Sequence, residues 1–129
     1  MKLYIYLIFL LPLLSLTSCF KSSTVHSKDF YPGKQLKSEQ TVRTQQRCKK
    51  SCKWVGTRKR LREYYESGVV KTKERSLVET SIFGEMLHRR ILKREYDEKG
   101  KLIQKVRKNN LEETISVYEN GKLVSKRTF

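Results

Sequence analysis

The chain has 129 residues, with 29 Lys and Arg against 13 Asp and Glu, for a formal charge of +16. That length holds one small domain at most, and a single hydrophobic run with only three cysteines excludes a large multi-domain enzyme, a polytopic membrane protein and a cysteine-rich disulfide scaffold. Apolar residues make up 37% of the chain, but many of them crowd into residues 1–18, so the remainder can bury only a thin core.

In chain order, Lys2 precedes an apolar stretch from Leu3 to Leu14 that Pro12 interrupts, and the run Ser15-Leu16-Thr17-Ser18 then ends at Cys19. A charged start, an apolar middle and a small-residue end, in that order, predict a secretory signal peptide over residues 1–18. The stretch is shorter than the roughly 20 apolar residues of a membrane span, and Pro12 falls where a spanning helix needs continuity. A permanent transmembrane anchor is the alternative. The run Leu16-Thr17-Ser18-Cys19 resembles the lipobox of bacterial lipoproteins. That resemblance implies that Cys19 is the lipidated first residue of the mature chain, carrying a thioether-linked diacylglycerol and often an acylated amine. Two or more acyl chains give stable anchoring where one gives only marginal binding. The other reading is a soluble secreted protein cut near Ser18, with Cys19 a free thiol. The implied location is the cell membrane or an outer membrane. Phe20 is not the Asp that retains lipoproteins at the inner membrane of enteric bacteria, which favours the outer membrane in a host that has one.

Residues 19–53 carry nine basic and two acidic residues among Ser, Thr, Gln and Lys, with no sustained hydrophobic period. This predicts a flexible basic tether. Within it, Tyr31-Pro32-Gly33-Lys34 reads as a turn, Pro pre-setting its own φ and Gly33 taking the positive φ of a type II turn. The stretch Glu39–Lys53 tolerates a short helix without an apolar stripe to support it. Cys48 and Cys52 are the disulfide candidates. In an oxidising envelope two spare thiols pair, and on a helix their Cα atoms would stand about 6 Å apart. A redox pair is disfavoured because the catalytic spacing is C-x-x-C. His26 and His88 are the only histidines and share no ligand spacing, so neither metal site nor cofactor is expected.

Residues 54–129 hold most of the remaining apolar residues, in short runs bounded by Gly, Asn and charges, which predicts strands. Three segments look alike: Tyr65-Glu66-Ser67-Gly68-Val69-Val70, Tyr96 to Ile103 around Gly100, and Tyr118-Glu119-Asn120-Gly121-Lys122-Leu123-Val124. Asn120-Gly121 is the strongest hairpin signal, since both residues accept the positive φ of a type I′ turn. Gly68, Gly84 and Gly100 recur every 16 residues, close to the period of one hairpin per unit. The expected fold is mainly β: a single antiparallel meander sheet of stacked hairpins over 54–129, following the tether.

The pattern of Tyr, acid, Gly-Lys-Leu and a branched aliphatic resembles the repeats of the MORN-like YwqK antitoxin family, over roughly Arg62 to Phe129, with a remnant of it at Tyr31 to Leu36. The resemblance implies hairpins stacked in one long sheet that neutralises or otherwise binds a partner protein. A sheet with one wet face and open end strands can bind by surface or by strand addition, and Tyr65, Tyr96 and Tyr118 are the partner-binding candidates. The alternative is that these tyrosines are the core aromatics of their hairpins.

Beside an anionic membrane the basic tether would lie on lipid headgroups or surface polyanions, each cation near the surface contributing about 1 kcal/mol. Arg58-Lys59-Arg60 beside Trp54, or Arg89-Arg90, could be read as a nucleic-acid patch, but an exported lipidated chain seldom meets nucleic acid. No G-x-S-x-G, H-E-x-x-H, P-loop or dinucleotide turn is present, and the adjacent acids Asp97-Glu98 and Glu112-Glu113 do not converge across a cleft. The expectation is therefore not an enzyme. It is a lipid-anchored module binding an envelope protein as an immunity-like or adaptor protein, or else a structural envelope lipoprotein whose basic tether holds anionic lipid or polymer.

Overall fold

Among the described residues, cross-strand hydrogen bonding runs from Lys21 to Phe129 without a helix. The computed structural model describes residues 21–129 apart from 50, 51 and 82; residues 1–18, expected to be a signal peptide, and Cys19, expected to carry the lipid, lie outside the described residues. Eight strands follow in order: β1 (Lys21–Phe30), β2 (Leu36–Lys49), β3 (Cys52–Tyr64), β4 (Val70–Ser81), β5 (Met86–Tyr96), β6 (Leu102–Asn109), β7 (Glu112–Glu119) and β8 (Lys122–Thr128). Each pairs antiparallel with its sequence neighbour, giving one open sheet of order β1 to β8. Each strand also touches only the strands before and after it.

The meander expected for the second half is therefore present, and it starts much earlier than the sequence suggested. The segment read as a flexible tether forms β1 and β2 instead, and the helix-tolerant stretch from Glu39 lies in β2. The physical reason is that β1 and β2 are rich in Thr, Ser and Gln, with few aliphatics. An apolar-period reading misses such strands, because their stability comes from ladder hydrogen bonds and from pairing with β3 rather than from an apolar face. The helical spacing behind the expected disulfide does not apply either. The hairpin register sets Cys48 opposite Lys53 and Cys52 opposite Lys49.

Among the described residues no large hydrophobic side chain is buried; the buried polar residues are Thr72 and Ser116, 3% and 8% exposed. A single layer has two wet faces, so its cohesion rests on the backbone ladder, on cross-strand pairs and on Lys and Arg stems lying over neighbours.

Successive turns alternate between the two ends of the sheet, so the 16-residue glycine spacing measures one strand plus one turn, not one hairpin. The turns at 31–35, 65–69, 81–85 and 97–101 share one design: the first N–H bonds the fifth carbonyl, and the fourth N–H bonds the first carbonyl. This is the three-residue hairpin loop whose last residue is left-handed. Gly68, Gly84 and Gly100 occupy that place at φ 82°, 86° and 79°, and Lys34 occupies it at φ 63°. Gly33 does not take the positive φ expected of it. Asn120 and Gly121, at φ 51° and 80°, form the two-residue turn anticipated from their sequence. A further two-residue turn, Asn110-Leu111, joins β6 to β7 with Asn110 at φ 51°. It carries no glycine, and its one local signal is the Asn109-Asn110 pair.

Candidate functional site

Cross-strand partners share a face of a sheet and chain neighbours alternate, so the pairing register assigns nearly every described side chain to one side or the other. One lateral row reads Lys28, Glu39, Arg62, Lys73, Arg94, Lys105, Ser116 and Lys126 from β1 to β8. Two positions further along each strand, on the same side, lie Arg60, Arg75 and Arg107. Two further still are Arg43, Arg58 and Arg90. Among the residues whose side chains are described, twelve Lys and Arg thus share this face with the acids Glu39, Glu79 and Glu112.

The intervening rows form the other face, where charges balance. Lys93 meets Glu95 at 2.6 Å and Lys108 meets Glu113 at 3.2 Å. The aliphatics Val42, Leu61, Val78, Ile91, Val106 and Ile115 lie on this side too. The +16 charge is therefore sorted by the alternation of strands, and most of it stands on one side of the sheet.

Across the end of the basic face runs an aromatic and aliphatic row. Phe30 pairs with Leu36, Tyr64 with Val70, Tyr96 with Leu102 and Tyr118 with Leu123, each pair followed by a one-residue register shift. The repeat suggested by the sequence is thus offset by one position in its first unit: Tyr64, not Tyr65, matches Tyr96 and Tyr118. Tyr96 and Tyr118 lie on the basic face, with Lys73 Nζ 5.4 Å from the Tyr96 ring centroid. Tyr65 is one residue beyond, in the turn and outside this row, and it touches Tyr96 but not Tyr118 through its hydroxyl. Its hydroxyl donates to the Tyr96 carbonyl at 2.9 Å under the ammonium of Lys71. Tyr31 repeats this device, donating to the Tyr64 carbonyl at 2.9 Å beneath Lys37. At the next turn of the same end Asp97 replaces the tyrosine and accepts from the Lys99 and Lys101 N–H groups at 3.0 and 2.7 Å.

The acid in the cationic row is closely held. Glu39 Oε1 accepts from the Tyr64 hydroxyl at 2.8 Å and from Arg62 Nη1 at 3.2 Å. The Tyr64 bond first, and then Arg62, keep this carboxyl below its ordinary pKa, while burial and then Glu39 push the Tyr64 phenol up. Among the described residues Arg62 is the one cation of the twelve with a carboxylate within 4 Å. The others repel one another across strands and gain from an anion laid over them.

Two shallow grooves open on this face. One lies between Lys105, Arg107, Ser116, Tyr118 and Lys126, the other between His26, Thr41, Arg43, Arg58 and Arg60. Both are lined mainly by cations and hydroxyls, and in the second His26 Nδ1 and the Thr41 hydroxyl stand 3.0 Å apart; the concentration of cations suits charge-driven binding over an extended surface. Sequence reasoning missed this face because its cations are scattered along the chain. The signal that could have found it is their spacing of two within each strand, as in Arg58, Arg60 and Arg62.

Comparison with protein families matches residues 113–129, which hold β7 and β8, to a MORN repeat variant. The comparisons with curated proteins and with solved structures yield no match. The last hairpin, with Tyr118 and Asn120-Gly121, is thus similar to a MORN repeat.

Proposed function

We propose that the protein is an exported, lipid-anchored β-repeat module that catalyses no reaction and binds an acidic protein partner in the cell envelope through its basic face. The observation that carries this reading is the sorting of charge, twelve Lys and Arg on one face against a balanced face behind it. The lipobox-like run ending at Cys19 supports export and anchoring, and the resemblance of the repeats to the YwqK antitoxin family supports an immunity-like or adaptor role. An acidic surface laid on these rows relieves repulsion between neighbouring cations, so it gains from both partners. Association of this kind is fast and falls with salt.

The test is cross-linking in the native envelope, comparing the wild type with a variant carrying Arg60→Glu, Arg75→Glu and Arg107→Glu. Loss of the cross-linked protein partner, alongside retention by a variant reversed at Lys59 and Lys93 on the balanced face, supports the reading. Equal retention by both variants refutes it.

A second reading is an envelope lipoprotein whose cations hold anionic lipid or surface polymer, and it is favoured by the openness of the basic face. In that case the face variant loses retention on purified envelope polymer or anionic vesicles, and no protein cross-link depends on it.

A further inference from the structure

The two ends of the sheet differ in chemistry. At one end the turns present Pro32-Gly33-Lys34, Glu66-Ser67-Gly68, Glu98-Lys99-Gly100 and Asn120-Gly121, all polar, and the apolar side chains nearby belong to the strands behind them. At the opposite end Phe83 projects from its turn 87% exposed and Leu111 from the next 96% exposed, with Met86 and Leu87 at 60% and 56%. Met86, Leu87 and Leu111 line one surface depression with Arg89, Lys108 and Asn110. Met86, Leu87 and Leu111 are therefore contiguous with the cations Arg89 and Lys108 beside them, and Phe83 stands in the turn three residues before Met86 at the same end. The acid of these two turns is Glu85.

The same end holds the start of the sheet. Lys21, Gln46, Val55, Thr80 and Met86 form one lateral row, so Lys21 and Met86 stand four strands apart, roughly 20 Å. Cys19 precedes Lys21 by two residues, a reach of about 7 Å. The β2–β3 hairpin also closes at this end, and its backbone brings Lys49 and Lys53 there.

We propose that this end of the sheet is a membrane-docking edge, in which Phe83, Met86, Leu87 and Leu111 enter the boundary between headgroups and acyl chains of an anionic bilayer. The inference rests on the reading of Cys19 as the lipid anchor, which brings this end to the bilayer. Arg89 and Lys108, which line the same depression, meet the lipid phosphates. The sheet then stands on its edge with its polar turns outward, and the basic face remains open to a partner.

The experiment places one tryptophan at a time in the full-length acylated protein, reconstituted in vesicles of zwitterionic and anionic phospholipid, on a Trp54→Phe background. The sites are Phe83→Trp at the proposed edge, Lys99→Trp at the opposite end and Thr41→Trp in the basic face. Emission from Phe83→Trp is expected to blue-shift and to be strongly quenched by a shallow spin-labelled lipid, as fits burial of about 5–10 Å in the interface. Emission from the other two sites stays unchanged. Adding Leu111→Asp to the Phe83→Trp protein is expected to remove most of that quenching; Leu111 is 96% exposed, so folding is not at stake. Quenching at Thr41→Trp shows the sheet lying face down and overturns the proposal, as does the absence of quenching at Phe83→Trp. Intact mass of the mature N-terminus judges the anchor separately. An acylated chain without quenching at Phe83→Trp defeats the edge alone, whereas an unacylated chain that is quenched there on added vesicles defeats the anchor and keeps the edge.

Discussion

At the scale of single residues, backbone conformation and one hydrogen-bonded carboxylate bear the clearest consequences. Gly100 sits at φ 79°, and a Cβ added there would meet nothing closer than Val69 Cγ1 at 4.0 Å. The cost of Gly100→Ala is thus one of conformation and not of space, about 1–2 kcal/mol for a left-handed L-residue. Lys34 carries that strain natively, so Lys34→Gly should raise stability by several tenths of a kcal/mol after the added freedom of the unfolded chain is counted. Denaturant midpoints of the two variants should move in opposite directions. Glu39 offers a titration. Its pKa is lowered in the folded sheet, chiefly by the Tyr64 hydroxyl. Its contribution is therefore present above the ordinary carboxylate pKa and lost as pH falls through the lowered value. Tyr64→Phe should move the Glu39 carboxyl back up toward its ordinary value in an NMR titration and cost about 1 kcal/mol at neutral pH. Lys93 runs the other way, its pKa raised by Glu95 first. What it contributes holds below the ordinary lysine pKa and is lost as pH rises through the raised one.

At the scale of strands and hairpins, stability and binding pull apart on the basic face. Arg75 lies opposite Arg60 on β3 and Leu92 on β5. Like charges directly opposite destabilise a sheet, by roughly 0.2–1 kcal/mol. Arg75→Glu should therefore raise the melting temperature while weakening capture of the proposed anionic partner, which thermal unfolding and cross-linking of the same sample would read together. The tyrosine device makes the opposite prediction. Tyr31 and Tyr65 each tie their turn to the main chain of the next hairpin at the same end, so each change to Phe should cost about 1 kcal/mol and speed amide exchange in the two hairpins joined. Much of this level was legible in the sequence. Asn120-Gly121 and the glycine-centred turns announced their hairpins because positive φ is confined to few residue types. The strands β1 and β2 and the Asn110-Leu111 turn were not legible, since Ser, Thr, Gln and Lys satisfy a tether and a hydrogen-bonded strand equally well. The offset between Tyr64 and Tyr65 was hidden for a related reason. Two adjacent tyrosines match the repeat equally by type, and only pairing with Val70 and the register shift that follows identify Tyr64 as the repeat position.

At the scale of the whole molecule, a single layer without buried large hydrophobics should unfold unlike a domain built on a core. Each strand depends only on its neighbours, so amide protection should be highest near β3 to β5 and fall toward β1 and β8. Equal protection throughout would show a cooperative core that the described residues do not contain. Because unrelieved repulsion on the basic face opposes folding, the isolated protein should gain stability as salt rises, within the screening set by a Debye length of about 10 Å at 0.1 M. The proposed partner complex should weaken over the same range. Composition, turn residues and short alternating runs determined by themselves that the second half is an antiparallel meander and that its charge is strongly positive, because these follow from local backbone preference and from counting. Only the tertiary structure decided that the meander already includes the stretch from Lys21, that the cations gather on one face and that apolar turns share an end with the first residue of β1. Each of these depends on cross-strand register and on which end a turn closes, relations between residues far apart in sequence that no local pattern encodes.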